Sequence, residues 1–126
     1  MRTLLLVSCG GALGTAARFL IGQWAIARLG TAFPWGTLLV NLIGSLLMAV
    51  VVELALRPGW LSPTSKLVLT TGLMGGFTTY SAFCWETVQA LESRAYGLAF
   101  GYVAATLLGC LLACALGLAL VRLVVP

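Results

Sequence analysis

One interrupted apolar segment constrains the fold of this chain more than any other feature. Residues 72–83 read Gly-Leu-Met-Gly-Gly-Phe-Thr-Thr-Tyr-Ser-Ala-Phe, so glycine, threonine and serine lie inside a hydrophobic run. These residue types are poor helix formers. Lipid cannot hydrogen-bond exposed backbone, so a membrane span breaks its helix only where protein or a water-filled cavity takes over the freed groups. Because broken spans typically hold an ion or a substrate, the segment predicts transport rather than anchoring.

The composition predicts an integral membrane protein. Of 126 residues, 61% are hydrophobic and 8% are charged, whereas soluble domains carry about 25% charged residues. The sequence has no histidine and its four cysteines form no CxxC pair, which argues against zinc, haem and a histidine-based triad. We therefore expect no enzyme and no nucleic-acid partner, but membrane lipid around the protein.

Four apolar stretches approach the ~20 residues of helix that a bilayer core needs. They predict an all-α fold with one four-helix transmembrane domain over residues 1–126, in which short connections make neighbouring helices antiparallel. The expected spans are about 4–27, 35–56, 66–91 and 96–124. The third span contains the interrupted segment.

Basic residues are divided almost evenly between the two expected sides of the membrane. Orientation follows Lys/Arg asymmetry, and four against two or three is a weak bias. The chain either inserts in both directions or has a fixed orientation that its charges do not specify. One side would hold Arg2, Arg57, Lys66 and Arg122, and the other Arg28 and Arg94, with Arg18 if it reaches the surface.

Small residues at four-residue spacing let helix backbones approach closely. They serve packing within one subunit or, if the chain inserts in both directions, an antiparallel homodimer whose two chains supply inverted repeats. The residues are Gly10, Gly14, Gly97, Gly101, Ala105, Gly109, Ala113 and Gly117.

Two uncharged polar stripes are candidates for a pore lining, because residues four apart share one helix face. The alternative is packing and hydrogen bonding between helices, which is common in membranes. The stripes are Thr37, Asn41 and Ser45 on the second span, and Tyr102, Thr106 and Cys110 on the fourth.

A few charged and aromatic residues also need an account inside a membrane. Arg18 would attract anions if it faces a vestibule, or it would snorkel to the interface. Glu86 is a functional candidate because intramembrane carboxylates are costly, whereas Glu53 lies nearer the end of its span. Tyr80 and Phe83 share a face, and their positive ring edges could coordinate an anion; the alternative is ordinary packing.

Three motifs in this order resemble the Fluc (CrcB) family of fluoride channels, over essentially the whole chain. They are Gly14-x-x-x-Arg18, Gly36-Thr37 with Val40-Asn41-Leu42-Ile43-Gly44, and Gly75-Gly76-Phe77-Thr78-Thr79-Tyr80-Ser81-Ala82-Phe83. The resemblance implies a passive, fluoride-selective channel that exports fluoride across the bacterial cytoplasmic (inner) membrane. It also implies an antiparallel, dual-topology homodimer with two pores and a central structural sodium ion.

The resemblance further implies roles for individual residues. The backbone carbonyls of Gly75 and Thr78 would hold the sodium ion. The pore positions would be the aromatics Tyr80 and Phe83, the donors Asn41 and Ser81, the vestibule residue Arg18 and, along the path, Glu86. Thr37, Thr106 and Tyr102 are pore candidates from the two polar stripes and not from the resemblance.

Two residues depart from the family pattern. Tyr80 stands where phenylalanine is usual, so its hydroxyl adds a donor and bulk. Cys110 stands where serine is frequent, and a thiol is a much weaker donor. The residue chemistry agrees with the resemblance, since conduction needs several sites of moderate strength rather than one tight site. A lone cation held by carbonyls without carboxylates suits sodium better than calcium or magnesium.

Two other functions compete with a channel. A small four-helix, proton-coupled multidrug transporter would need a carboxylate in its first helix, and the first acidic residue here is Glu53. A scaffold subunit would explain the small residues but not the hydroxyls of the interrupted segment.

Overall fold

A computed structural model describes residues 1–125, and every regular element within them is helical. This confirms the all-α prediction. The elements are α1 (Arg2–Leu29), α2 (Trp35–Ala55), α3 (Pro63–Leu67), a π-helical segment (Val68–Met74), α4 (Gly75–Phe77), α5 (Tyr80–Glu92) and α6 (Tyr96–Val124).

Three helices are long and apolar enough to cross a membrane, namely α1, α2 and α6. The remaining helical stretch consists of two halves, residues 63–77 and residues 80–92. At 1.5 Å per residue the halves are about 22 Å and 20 Å long. Each is too short by itself for the ~30 Å hydrocarbon core.

The helices alternate in direction. Gly22 of α1 meets Gly36 near the start of α2, so these two helices are antiparallel. The first half-helix runs parallel to α1, because Gly10 meets Val68 and, further along, Arg18 meets Thr78. In the same way α6 runs parallel to α2: Leu42 lies against Gly109, Leu46 against Gly117, and Glu53 pairs with Arg122 at 3.0 Å.

The glycines of the interrupted segment do not themselves break the helix. Gly72 and Gly76 stay helical and let the first half-helix approach the backbone of α1. A Cβ at Gly72 would lie 2.7 Å from the Val7 carbonyl oxygen, and one at Gly76 would clash with the Gly11 carbonyl. The chain leaves the helix only after Phe77, so close packing between helices outweighs the low helix propensity of glycine.

The small-residue positions divide into two groups. Gly10 and Gly14 pack against the first half-helix, and Gly109 and Gly117 pack against α2, so packing within the subunit accounts for these. A Cβ at Gly97 or at Gly101 would meet nothing within 4 Å in the described part of the chain.

The outer surface of the chain is apolar. Large hydrophobic side chains are exposed along α1 and α6, as expected of helices surrounded by lipid tails. They include Leu4, Leu5, Leu13, Phe19, Leu20, Phe100, Leu108, Leu111, Leu112 and Leu123. The core contains a cluster of Leu38, Phe83 and Tyr102 beside the helix break.

Candidate functional site: a helix break between two cavities

The break lies at Thr78 and Thr79, which both have extended backbone (φ −83°, ψ 158° and φ −149°, ψ 111°). Thr79 then caps α5, because its hydroxyl accepts a hydrogen bond of 3.2 Å from the Ala82 N–H. Threonine suits both tasks, since it has low helix propensity and its side-chain oxygen is a good N-cap. The break is level with Asn41 and Gly44, near the middle of α2.

Asn41 holds the broken backbone in place. Its Nδ2 donates to the Thr79 carbonyl at 3.0 Å, and its Oδ1 accepts from the Thr79 N–H at 2.9 Å. In a continuous α-helix the Thr79 N–H would bond to the Gly75 carbonyl, and the Ala82 N–H to the Thr78 carbonyl. Both N–H groups point elsewhere here, so the break releases the Gly75 and Thr78 carbonyls.

Two side chains of α1 contact carbonyls at the break. Arg18 Nη1 donates to the Thr78 carbonyl at 3.3 Å, and the Thr15 hydroxyl donates to the Gly76 carbonyl at 3.4 Å. Arg18 is half-buried and also lines a cavity. The structure thus places this arginine beside the break rather than at the end of its helix.

A first cavity of about 660 Å³ lies between α1, α2 and α5, at the end of the bundle where α2 and α6 begin. Its polar lining consists of Arg18, Thr31, Thr37, Thr79, Glu86, Gln89 and Ser93.

A second cavity of about 460 Å³ lies along the middle of α2 and α6. Its lining consists of Asn41, Gly44, Ser45, Met48, Thr78, Tyr80, Phe83, Thr106, Leu107, Cys110, Leu111 and Cys114. Thr79 lines the first cavity, whereas its neighbours Thr78 and Tyr80 line the second, so the two cavities meet at the break.

Glu86 joins the two polar stripes. Its Oε1 accepts a hydrogen bond of 2.7 Å from the Thr37 hydroxyl, and its Oε2 accepts one of 2.6 Å from the Tyr102 hydroxyl. Both distances are those of well-formed O–H···O hydrogen bonds. One carboxylate from α5 therefore connects α2 with α6 beside the first cavity.

The two predicted pore aromatics differ in exposure. Phe83 is 6% exposed, whereas Tyr80 is 73% exposed and projects from the chain. Their ring centroids lie 5.6 Å apart, and Phe83 meets Tyr102 edge-on at 5.2 Å. Both aromatics line the second cavity.

Three further predicted residues have distinct surroundings. The Thr106 hydroxyl is buried beside the second cavity and has no hydrogen-bond partner among residues 1–125. Ser81 is exposed, and its hydroxyl lies 3.3 Å from that of Thr79. Gly75 is also exposed on the outer side of the chain. The structure therefore brings Asn41, Thr106 and the aromatics together and leaves Ser81 and Gly75 outside both cavities.

Thr79 and Thr15 belong to the site, although the sequence predicts no site role for either. The signal for Thr79 is its place in the interrupted segment, where threonine is a preferred N-cap for the helix that follows. Thr15 has none, since its bond to Gly76 joins residues 61 positions apart.

Comparison with known proteins agrees with the resemblance stated from the motifs. The model of the family described as CrcB-like protein, Camphor Resistance (CrcB), matches residues 5–118. The chain is 46% identical over 116 residues to the fluoride-specific ion channel FluC of Sorangium cellulosum, covering 92% of this chain and 91% of that protein. It is 47% identical over 122 residues to FluC of Anaeromyxobacter dehalogenans, with 97% of each covered. It is 42% identical over 125 residues to FluC of Rhizobium meliloti, covering 99% of this chain and 100% of that protein.

Proposed function

This chain belongs to the CrcB family, and from that premise we propose how it carries fluoride across a membrane. The protein is a fluoride channel and not an enzyme. The observation that carries the mechanism is the helix break, which lies where two cavities meet and is surrounded by neutral hydrogen-bond donors.

Fluoride enters the first cavity, where the Arg18 guanidinium raises the local concentration of anions. It then passes the barrier formed by Asn41 and Phe83 and reaches the second cavity. Thr37 and Tyr102 direct their hydroxyls at Glu86, so these donors are occupied while the carboxylate is in place. The carboxylate therefore controls how many donors face an entering anion.

Several weak sites replace the water of fluoride along this route. Asn41 uses one amide N–H on Thr79 and has a second to offer. The Thr106 hydroxyl has no partner within the described chain, and a buried unpaired hydroxyl costs about 1–3 kcal/mol until something binds it. The edge of Phe83 adds a positive rim without a formal charge. Neutral donors of this kind let the ion leave as well as bind.

We further propose that the active unit is an antiparallel homodimer with two pores, in which the two half-helices together form a fourth span. Tyr80 is 73% exposed in the single chain although it lines the second cavity, so a second copy would complete that wall. The unoccupied space around Gly97 and Gly101 is consistent with a close-packed partner. In a bacterial cytoplasmic membrane such a dimer lets fluoride leave the cell down its gradient.

A structural sodium ion fits the groups at the break. The Gly75 and Thr78 carbonyls lack the α-helical bonds they would otherwise accept, and they are neutral oxygen donors. Among residues 1–125 no cluster of three His, Cys, Asp or Glu competes as a metal site. The Thr78 carbonyl also accepts from Arg18 at 3.3 Å, and the guanidinium repels a divalent ion about twice as strongly as it repels sodium. In the dimer these carbonyls would hold sodium and satisfy the freed backbone.

Fluoride efflux from liposomes that contain only this protein tests the function, with valinomycin to clear the charge and chloride as the control anion. We expect rapid fluoride release without chloride release. Phe83→Ile should abolish it, whereas Phe19→Ile, the same change at an exposed position that lines neither cavity, should not. Absence of fluoride release from folded dimer would refute the channel, unless Tyr80→Phe restores it.

The multidrug transporter is not supported. Its proton-exchanging carboxylate is absent from the first 52 residues, and the curated relatives carry the name of a fluoride channel.

A further inference from the structure

Three sulfur-bearing side chains line the second cavity. Met48 of α2 lines one wall, and Cys110 and Cys114 of α6 line another. Both cysteines are free thiols and are partly exposed. On α6 the polar stripe therefore continues past Thr106 with two thiols, Cys110 and Cys114. Hydroxyl side chains would pack equally well at these two positions.

The spacing of the two thiols suits a bridging metal ion. Residues four apart on a helix have Cβ atoms about 5–6 Å apart on one face. Metal–sulfur bonds are about 2.3 Å long. With bonds of this length an ion between two sulfurs spans at most about 4.6 Å, and less once a third ligand bends the arrangement; side chains on Cys110 and Cys114 can reach this separation by rotation about χ1. Met48 supplies a third, neutral sulfur from the facing helix.

We propose that Cys110, Cys114 and Met48 form a binding site for soft monovalent metal ions, of the class of Cu⁺ and Ag⁺. Thiolate and thioether ligands select such ions over hard cations. A four-coordinate zinc site is excluded by the ligand count, since residues 1–125 hold no group of three His, Cys, Asp or Glu. On binding, each coordinating thiol releases its proton to water and forms a sulfur–metal bond without a change in oxidation state.

Occupancy of this site should stop conduction, an effect that rests on the proposed function. The cavity of about 460 Å³ also contains Asn41 and Thr106, so a bound ion and its ligands would stand in the path of the anion. Binding also removes both S–H donors from the lining. A thiophilic cation would therefore inhibit this channel from the end of the bundle at which α2 and α6 finish.

The test uses Ag⁺ as the probe in chloride-free nitrate buffer. Because Cys9 and Cys84 are exposed and would also react, the reference protein is Cys9→Ser/Cys84→Ser. Calorimetry on the purified protein should give one tight Ag⁺ site per chain. Adding Cys110→Ser should raise the Kd at least about tenfold, since even indirect partners of a metal contribute 10–100-fold to affinity. Adding Cys114→Ser as well should abolish the site.

Fluoride efflux from liposomes then measures the consequence. We expect stoichiometric Ag⁺ to block the reference protein and to leave the Cys110→Ser/Cys114→Ser derivative at whatever efflux rate it has without Ag⁺, each protein being compared with itself. Equal Ag⁺ binding by that derivative would overturn the site, whether or not any protein conducts. Tight binding to the reference protein with undiminished efflux would overturn the location of the site in the pathway. A reference protein that binds one Ag⁺ but never conducts would support the site and count against the proposed function instead.

Discussion

Asn41→Asp separates the structural and the conducting role of the residue at the break. The substitution keeps the side-chain shape and the oxygen that accepts from the Thr79 N–H at 2.9 Å. It removes the N–H that donates to the Thr79 carbonyl at 3.0 Å and sets two oxygens against each other. Loss of that bond with an unpaired carbonyl should cost about 1–3 kcal/mol of stability, which a melting experiment in detergent will measure.

The effect on conduction should be much larger than the effect on stability. If fluoride takes the second N–H of the amide, a carboxylate there lies about 4 Å from the ion and repels it by about 4 kcal/mol at an effective dielectric constant of 20. At 1.36 kcal/mol per decade this slows fluoride passage about 10³-fold. Efflux per folded protein, normalised to the dimer peak in gel filtration, provides the measurement.

Gln89→Glu is the matched control, because it makes the same amide-to-carboxylate change in the lining of the first cavity. Water screens the charge there, so the repulsion at a similar distance is about 1 kcal/mol and efflux should fall less than about tenfold. If the Asn41→Asp protein is folded and conducts as well as the Gln89→Glu protein, the placement of Asn41 beside the ion path is refuted.

Three more predictions test the geometry. Tyr102→Phe keeps the buried ring but removes the 2.6 Å bond to Glu86. Melting should show a loss of about 1 kcal/mol, and efflux should slow because the carboxylate, left with the Thr37 hydroxyl alone, repels fluoride more strongly. Unchanged efflux would contradict the role of Glu86. Gly76→Ala forces a Cβ against the α1 backbone and should cost about 1–3 kcal/mol of stability. Its control is Gly22→Ala, whose Cβ would meet nothing within 4 Å in the described chain and which should stabilise the protein by about 0.5–1 kcal/mol. Equal melting temperatures of the two variants would contradict the close approach of Gly76 to α1. Arg94 has a φ of 60° after α5, so Arg94→Gly should raise stability by about 1 kcal/mol, and a lower melting temperature would show that its side chain matters more than its backbone.

Local rules predicted the helices but not the position of the break. Long apolar runs with charges at their ends are enough to predict α1, α2 and α6, because the bilayer sets the length of a span. The interrupted segment was recognised from glycine and threonine propensities, yet Gly72 and Gly76 remained helical. Their helical state depends on the backbone of α1, and that packing is a long-range property that propensity does not contain.

At the site, too, the sequence predicts individual residues but not the contacts between them. Thr37, Glu86 and Tyr102 were each candidates because polar groups are costly in lipid. The sequence does not show that the Glu86 carboxylate bridges the hydroxyls of Thr37 and Tyr102, because these contacts join residues 49 and 16 positions apart. The sequence also does not tell which polar groups already have partners. Asn41 is predicted either to donate to the ion or to hydrogen-bond between helices, and half of its hydrogen-bonding capacity is used on Thr79.

That shared use of Asn41 has a physical consequence for how such a channel can vary. A helix break needs donors and acceptors for its freed backbone, and an anion path needs donors with moderate affinity. Asparagine serves both needs because its amide has two N–H groups and a carbonyl oxygen. A serine or threonine hydroxyl has a single O–H, so it could donate either to the Thr79 carbonyl or to the ion, but not to both. Stability of the break and donation to the ion are therefore coupled at one side chain, so a change that tunes conduction at position 41 also changes the stability of the fold.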